Sequence, residues 1–342
     1  MGARRFAAAA VAAVLLYLFQ WLANKDQTTS LDVVIYGATP SGIAAALAVM
    51  DTWADARVAI LEPANSIGGM ATQGIGLRDF KYVELMRSTM REWSILNAQF
   101  YNVTYPVWQP DNFVGEASFK TLLGSRGIHV YLNTRLEQKF SAIRKTPHNR
   151  RLIAAIKTYC QGSSQSRWWT AKYFVDASYE GDLLRFSGAS YTLEREANST
   201  YNESRAGVTM SSLGDFDVDV DPIGVNGELL PFVNGFGPSG DPGSSDKGLM
   251  GYSMRVCVTT NLQKRVPFSR PPEYSARTYE LLARYYRAGG NATPYLAYPY
   301  VSYPERDKFD VCDNGQHKEY VAGMFWFLQT DPSVPKKIQH RN

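Results

Sequence analysis

The chain has 342 residues, 45% of them hydrophobic, which is enough apolar material to bury a large core in one big or two moderate domains. Its net charge is only +4, and part of that lies at the ends in Arg4, Arg5, Lys336, Lys337 and Arg341, so the charge argues for no nucleic-acid partner. Three cysteines, Cys160, Cys257 and Cys312, are too few for a disulfide framework and none has a metal-ligand spacing; one pair plus a free thiol, or three free thiols, both fit.

The first element is a basic start, with Arg4 and Arg5, followed by an uncharged run over 6–23 that ends at Asn24-Lys25-Asp26. Its 18 residues reach the lower limit for crossing a bilayer, so 1–30 reads as a signal anchor or signal peptide with a linker. Trp21 stands where cleavage after Ala23 would want a small residue, which favours a single-pass membrane anchor over a secreted product. In either case the remainder enters the secretory pathway. Four Asn-x-Ser/Thr sequons, at Asn102, Asn198, Asn202 and Asn291, agree with a glycosylating compartment and mark sites for N-glycans.

Beyond the polar linker over 24–30, Val33-Val34-Ile35-Tyr36 has strand length and β-branched content. An alanine-rich helix is predicted over 41–49 and a second strand over 58–61. Helices follow around 83–100 and 117–123, then strands at 128–132, 152–159 and 173–176, the last with the continuous apolar character of a buried strand. Over 190–246 Gly, Asp, Asn, Ser and Pro dominate without periodicity, as in loops laid over a scaffold. A strand over 252–259 and a helix over 274–286 complete the pattern.

The chemistry concentrates at the first turn. A strand, the turn Gly37-Ala38-Thr39-Pro40-Ser41-Gly42, a helix and a strand ending at Glu62 follow the order of a pyrophosphate site. Gly37 permits a tight turn, Gly42 lets the helix approach the sheet, and the free N–H groups at the helix start attract phosphate. Glu62 lies twenty residues beyond Gly42, where a carboxylate accepts from ribose hydroxyls. Thr39 replaces the middle glycine of the usual fingerprint. Gly68-Gly69-Met70 offers a second run of approachable backbone, and Asp176-Ala177 begins a polar stretch after a strand, where open α/β sheets bind ligands. Ser178 with Asp182 lacks the Gly-x-Ser-x-Gly elbow of a hydrolase.

At these residues the sequence resembles a family of FAD-dependent oxidoreductases, some of whose members carry the label xanthan lyase. The likeness rests on the Gly37–Gly42 turn, in which threonine is normal for the family, on Glu62-Pro63, Gly68-Gly69-Met70-Ala71-Thr72 and Gly74-Ile75-Gly76-Leu77-Arg78-Asp79. A second signature spans 171–183 and includes Val175-Asp176-Ala177-Ser178-Tyr179-Glu180-Gly181-Asp182, with Gly188 and Arg195-Glu196 after it. Tyr252-Ser253-Met254-Arg255-Val256-Cys257, Arg265-Val266-Pro267-Phe268 and the stretch from Met324 to Pro332 extend the likeness over about 32–335.

The resemblance implies an α/β fold, a Rossmann-type FAD-binding domain over 31–189 with an inserted, loop-rich substrate-side region over 190–335 and a polar tail over 336–342. It implies FAD bound by Gly37, Ala38, Thr39, Pro40, Ser41, Gly42, Glu62, Pro63, Gly68, Gly69, Met70, Asp176 and Ala177, and hydride transfer between flavin and a small-molecule or carbohydrate-like substrate. No catalytic residue is singled out, since His129, His148, His317 and His340 lie outside the signatures, and Arg255 and Asp79 read more naturally as salt-bridging or capping residues. Family members continue past the Asp-Pro segment into a further strand and residues that close over the flavin. The expectation here is a shortened chain, with a catalytically silent, membrane-attached remnant as the alternative.

Overall fold

A computed structural model describes residues 27–73, 83–163, 165–209, 216–233, 240–247, 254–313 and 318–339. The apolar run over 6–23 and the Gly74–Asp79 signature lie outside them. The chain divides into two compact units, Met1–Tyr191 and Thr192–Asn342.

In chain order the first unit holds β1 (Gln27–Ser30), β2 (Val33–Tyr36), α1 (Pro40–Thr52), β3 (Val58–Leu61), α2 (Ser88–Phe100), α3 (Asn112–Ser125), β4 (His129–Tyr131), β5 (Thr134–Leu136), β6 (Ile143–Lys145), β7 (Ile153–Cys160), β8 (Ser166–Thr170), β9 (Tyr173–Asp176) and the short α4 (Asp182–Ser187). A parallel sheet runs in the order β4-β3-β2-β9, with Val33 opposite Val58 and Tyr173. A second sheet runs β1-β8-β7-β5, with β6 also paired to β7. This is the Rossmann-type α/β arrangement that the resemblance implied: a strand-helix-strand start feeding a parallel sheet, covered by helices on one face and a strand layer on the other.

The apolar runs of β2 and β3 follow from this sandwich, because both faces of those strands are covered. Val33 and Ile35 face α1, α2 and α3, packing with Ile43, Leu47, Trp93, Phe119 and Leu123. Val34 and Tyr36 face the second sheet, against Leu136, Ile156 and Trp169.

Two expectations need correction in this unit. Residues 27–30, read as linker, form β1 and pair in parallel with β8, Gln27 opposite Arg167; polar threonines suit an edge strand, and nothing in their composition reveals the distant partner. Strand β9 was expected to be buried, but Tyr173 is 62% exposed and the rest are half-buried. It is the last strand of its described sheet, with β2 on one side alone.

The second unit begins with sparse regular structure: α5 (Asn198–Tyr201) and isolated bridges between Arg195 and Asp246 and between Ile223 and Leu229. It continues with β10 (Arg255–Thr259), α6 (Glu280–Arg287), β11 (Tyr295–Pro299), β12 (Lys308–Asp313), α7 (Lys318–Thr330) and α8 (Lys336–Gln339). The three strands form an antiparallel sheet in the order β10-β12-β11. Val256, Val258 and Val311 pack with Tyr279, Ala283, Phe325 and Leu328. The segment beginning at 336, read as a polar tail, is helical over Lys336–Gln339 and buries Ile338 in this core. Among the described residues no helix is long and apolar enough to cross a membrane. Cys160 and Cys257 are free thiols.

Candidate functional site at the start of the first helix

Strand β2 ends at Tyr36 and the chain turns at once, with Gly37 at φ +102°, a conformation that side chains other than glycine rarely adopt. The Gly37 N–H donates to the Leu61 carbonyl at 2.8 Å, which ties the turn to β3. Thr39 is the N-cap of α1: its hydroxyl oxygen accepts from Gly42 N–H at 3.3 Å and its O–H donates to the Ala177 carbonyl at 2.8 Å. Pro40 opens the helix, where its missing N–H costs nothing. Gly42 is required by contact, since a Cβ there would overlap the Gly37 carbonyl oxygen and stand 3.1 Å from the Ala177 side chain.

Among the described residues the N–H groups of Thr39 and Ser41 carry no hydrogen bond, and Ser41 is exposed. Two donors therefore remain at the positive end of a 13-residue helix. Glu62, only 9% exposed, leaves β3 toward this turn. Its carboxylate accepts from Ala38 N–H at 2.6 Å and, across Pro63, from Ala64 N–H at 2.7 Å. Each carboxylate oxygen keeps a further lone pair for a ligand hydroxyl. Glu62 thus organises the turn as well as facing it, a role that sequence spacing does not reveal.

The other predicted site residues divide. Gly68 N–H donates to the Ala38 carbonyl at 2.7 Å, so the second glycine turn is bonded directly to the first. Ala177 N–H donates to the Tyr36 carbonyl at 2.8 Å, bringing the second signature to the same place. Asp176 serves its own loop, accepting from Ser178 N–H at 3.0 Å, from the Ser178 hydroxyl at 2.7 Å and from Leu184 N–H at 2.8 Å. The Ser178 hydroxyl is thereby engaged locally. Met70 is 47% exposed, and its N–H is taken by the Tyr179 hydroxyl at 2.9 Å. Tyr179 stands in the second signature, and no spacing rule in the sequence links it to Gly69. Burial raises the pKa of its phenol, the Met70 N–H opposes that rise, and the charges of Glu62 and Glu180 reinforce it. In the second unit Arg255 pairs with the buried Asp310 at 2.9 Å.

The geometry suits the diphosphate and ribose of a dinucleotide: unpaired amides at a helix start beside a buried carboxylate. The family described as FAD dependent oxidoreductase matches residues 32–340. The chain belongs to this family. As an FAD dependent oxidoreductase it takes FAD as cofactor.

Among solved structures, the chain is 19% identical to Thermovibrio ammonificans THI4, over 58% of this chain and 78% of that one, with a TM-score of 0.33. It is 19% identical to L-proline dehydrogenase from P. horikoshii, over 51% of this chain and 26% of that one, with a TM-score of 0.28. It is 18% identical to bacillithiol disulfide reductase Bdr from Bacillus cereus, over 43% of this chain and 39% of that one, with a TM-score of 0.31. No curated protein matches the chain.

Proposed function

We propose that this oxidoreductase moves a hydride between flavin and a small-molecule or carbohydrate-like substrate, and that it works within the secretory pathway. The observation that carries the cofactor side is Glu62, bonded at 2.6 Å to the amide of the same turn whose Thr39 and Ser41 N–H groups have no partner among the described residues. When bound, FAD supplies the two-electron acceptor. The chain's own residues would hold it: the helix start would stabilise the diphosphate, Glu62 would accept from the ribose, and Gly68 already brings its turn against Ala38.

The secretory reading is supported by the basic start before the uncharged run over 6–23 and by four sequon asparagines, Asn102, Asn198, Asn202 and Asn291, that are all exposed and open to N-glycans. The full chain, purified and titrated with FAD, is expected to acquire flavin absorbance that survives gel filtration. A colourless protein after this treatment would defeat the proposal. Expressed in a secreting eukaryotic cell, the chain should lose apparent mass on treatment with an N-glycan endoglycosidase; an unshifted band would remove the compartment.

A further inference from the structure

The loop after β9 and the second glycine turn are 109 residues apart in sequence at the contact between Met70 and Tyr179. The Tyr179 hydroxyl accepts the Met70 N–H at 2.9 Å. Its ring occupies the space that a side chain on Gly69 would need: a Cβ there would overlap the phenol oxygen and stand 3.0 Å from two ring carbons. Tyr179 is nonetheless 52% exposed, so hydrophobic burial is a weak reason for its placement.

The bonds around it close a ring. The Ala38 carbonyl accepts from Gly68, Met70 donates to Tyr179, and Ala177, two residues before Tyr179, accepts from Thr39, which follows Ala38. The first turn, the second glycine turn and the β9 loop are each held by the other two. Opening the Met70–Tyr179 link frees the Met70 N–H while leaving the bonds of Glu62 and of Thr39 at the start of α1 as they are.

We propose that Tyr179 is a positioning residue for the cofactor: it fixes the Gly68–Met70 turn against the first turn, so the part of FAD beyond the adenosine diphosphate meets backbone already in place. The inference rests on the reading of the Gly37 turn as the FAD site. The benefit is preorganisation, because backbone ordered before binding need not be ordered at its expense. A tyrosine phenol is neutral at physiological pH and burial raises the pKa of this one further, so it adds no negative charge near an anionic diphosphate.

Tyr179→Phe keeps the ring and deletes the hydroxyl. It is expected to weaken FAD binding about fivefold to tenfold, the worth of one hydrogen bond, while ADP binds within about twofold of the parent chain. In the ligand-free protein, amide hydrogen exchange at Met70 should accelerate by about the same factor. Retained ADP binding also establishes that the variant folds. FAD affinity that is unchanged or tighter, a parallel loss of ADP, or unaltered exchange at Met70 would each overturn the proposal. If the parent chain binds neither ADP nor FAD, the cofactor site itself is wrongly placed, an outcome separate from an indifferent Tyr179.

Discussion

Glu62 allows a test that separates building the site from gripping the ligand. Its carboxylate accepts two backbone N–H groups at 2.6 and 2.7 Å, and the two amides differ in environment: Ala38 is fully buried, whereas Ala64 is exposed. In Glu62→Gln the single amide oxygen can serve Ala38, while the NH2 group turns toward Ala64, whose N–H can be rehydrated. One charge-assisted bond becomes neutral and one is lost to water, a cost of about 2 kcal/mol. Glu62→Ala also leaves the buried Ala38 N–H without its acceptor, which raises the cost to about 3–5 kcal/mol. At roughly 2–4 °C per kcal/mol for a unit of this size, the glutamine variant should melt about 4–8 °C lower than the parent and the alanine variant lower still. Differential scanning fluorimetry of the ligand-free protein reads this, and FAD titration should show weakened binding in both. Equal melting temperatures for the glutamine and alanine variants would refute the reasoning, because they would mean that the Ala38 amide does not depend on the carboxylate.

Other consequences concern contacts elsewhere. Gly42→Ala forces a Cβ onto the Gly37 carbonyl and is expected to cost about 1–3 kcal/mol and to abolish FAD retention, whereas Gly124→Ala, in α3 with open space around it, should be neutral or stabilising by up to about 1 kcal/mol. Chemical denaturation and flavin content of the two variants check this pair. Asp32 accepts from the Arg57 backbone N–H and lies beside Lys172 and the Arg57 guanidinium, which together hold its carboxyl at about 2, below the ordinary 3.8. A folded-state value below the unfolded one means stability that is present above about pH 4 and lost as the pH falls toward 2. Asp32→Asn should therefore flatten the acid limb of a stability-pH curve and leave its shape at neutral pH unchanged. Trp93 is fully buried, stacks on Phe119 at 5.0 Å and donates its indole N–H to the Gly115 carbonyl at 2.8 Å. Trp93→Phe is expected to cost about 1–2 kcal/mol and Trp93→Ala about 3–5 kcal/mol, measured by urea unfolding.

Much of the first unit was legible because its signals are local. A β-branched run buried on both faces, a glycine forced to positive φ and a threonine capping a helix that opens with proline all act over a few residues, so β2, α1 and β3 stand where the sequence places them. Parallel pairing explains why the site could be read before its layout was known: β2 and β3 end together, Tyr36 opposite Leu61, which brings Glu62 beside the Gly37 turn whatever else the chain does.

The sequence by itself thus determined a strand-turn-helix with the glycine pattern of a phosphate site and an acidic residue twenty residues on. Only the tertiary structure decided which distant pieces complete it. The strand role of 27–30 depends on a partner at 167–170, the exposure of β9 on its place at the edge of its described sheet, and the contact of Tyr179 with Gly69 on the closure of three separate loops. These are contacts across more than a hundred residues, set by how surfaces pack rather than by any short-range preference. A local pattern names the residues that can bind, and packing alone selects the neighbours that hold them there.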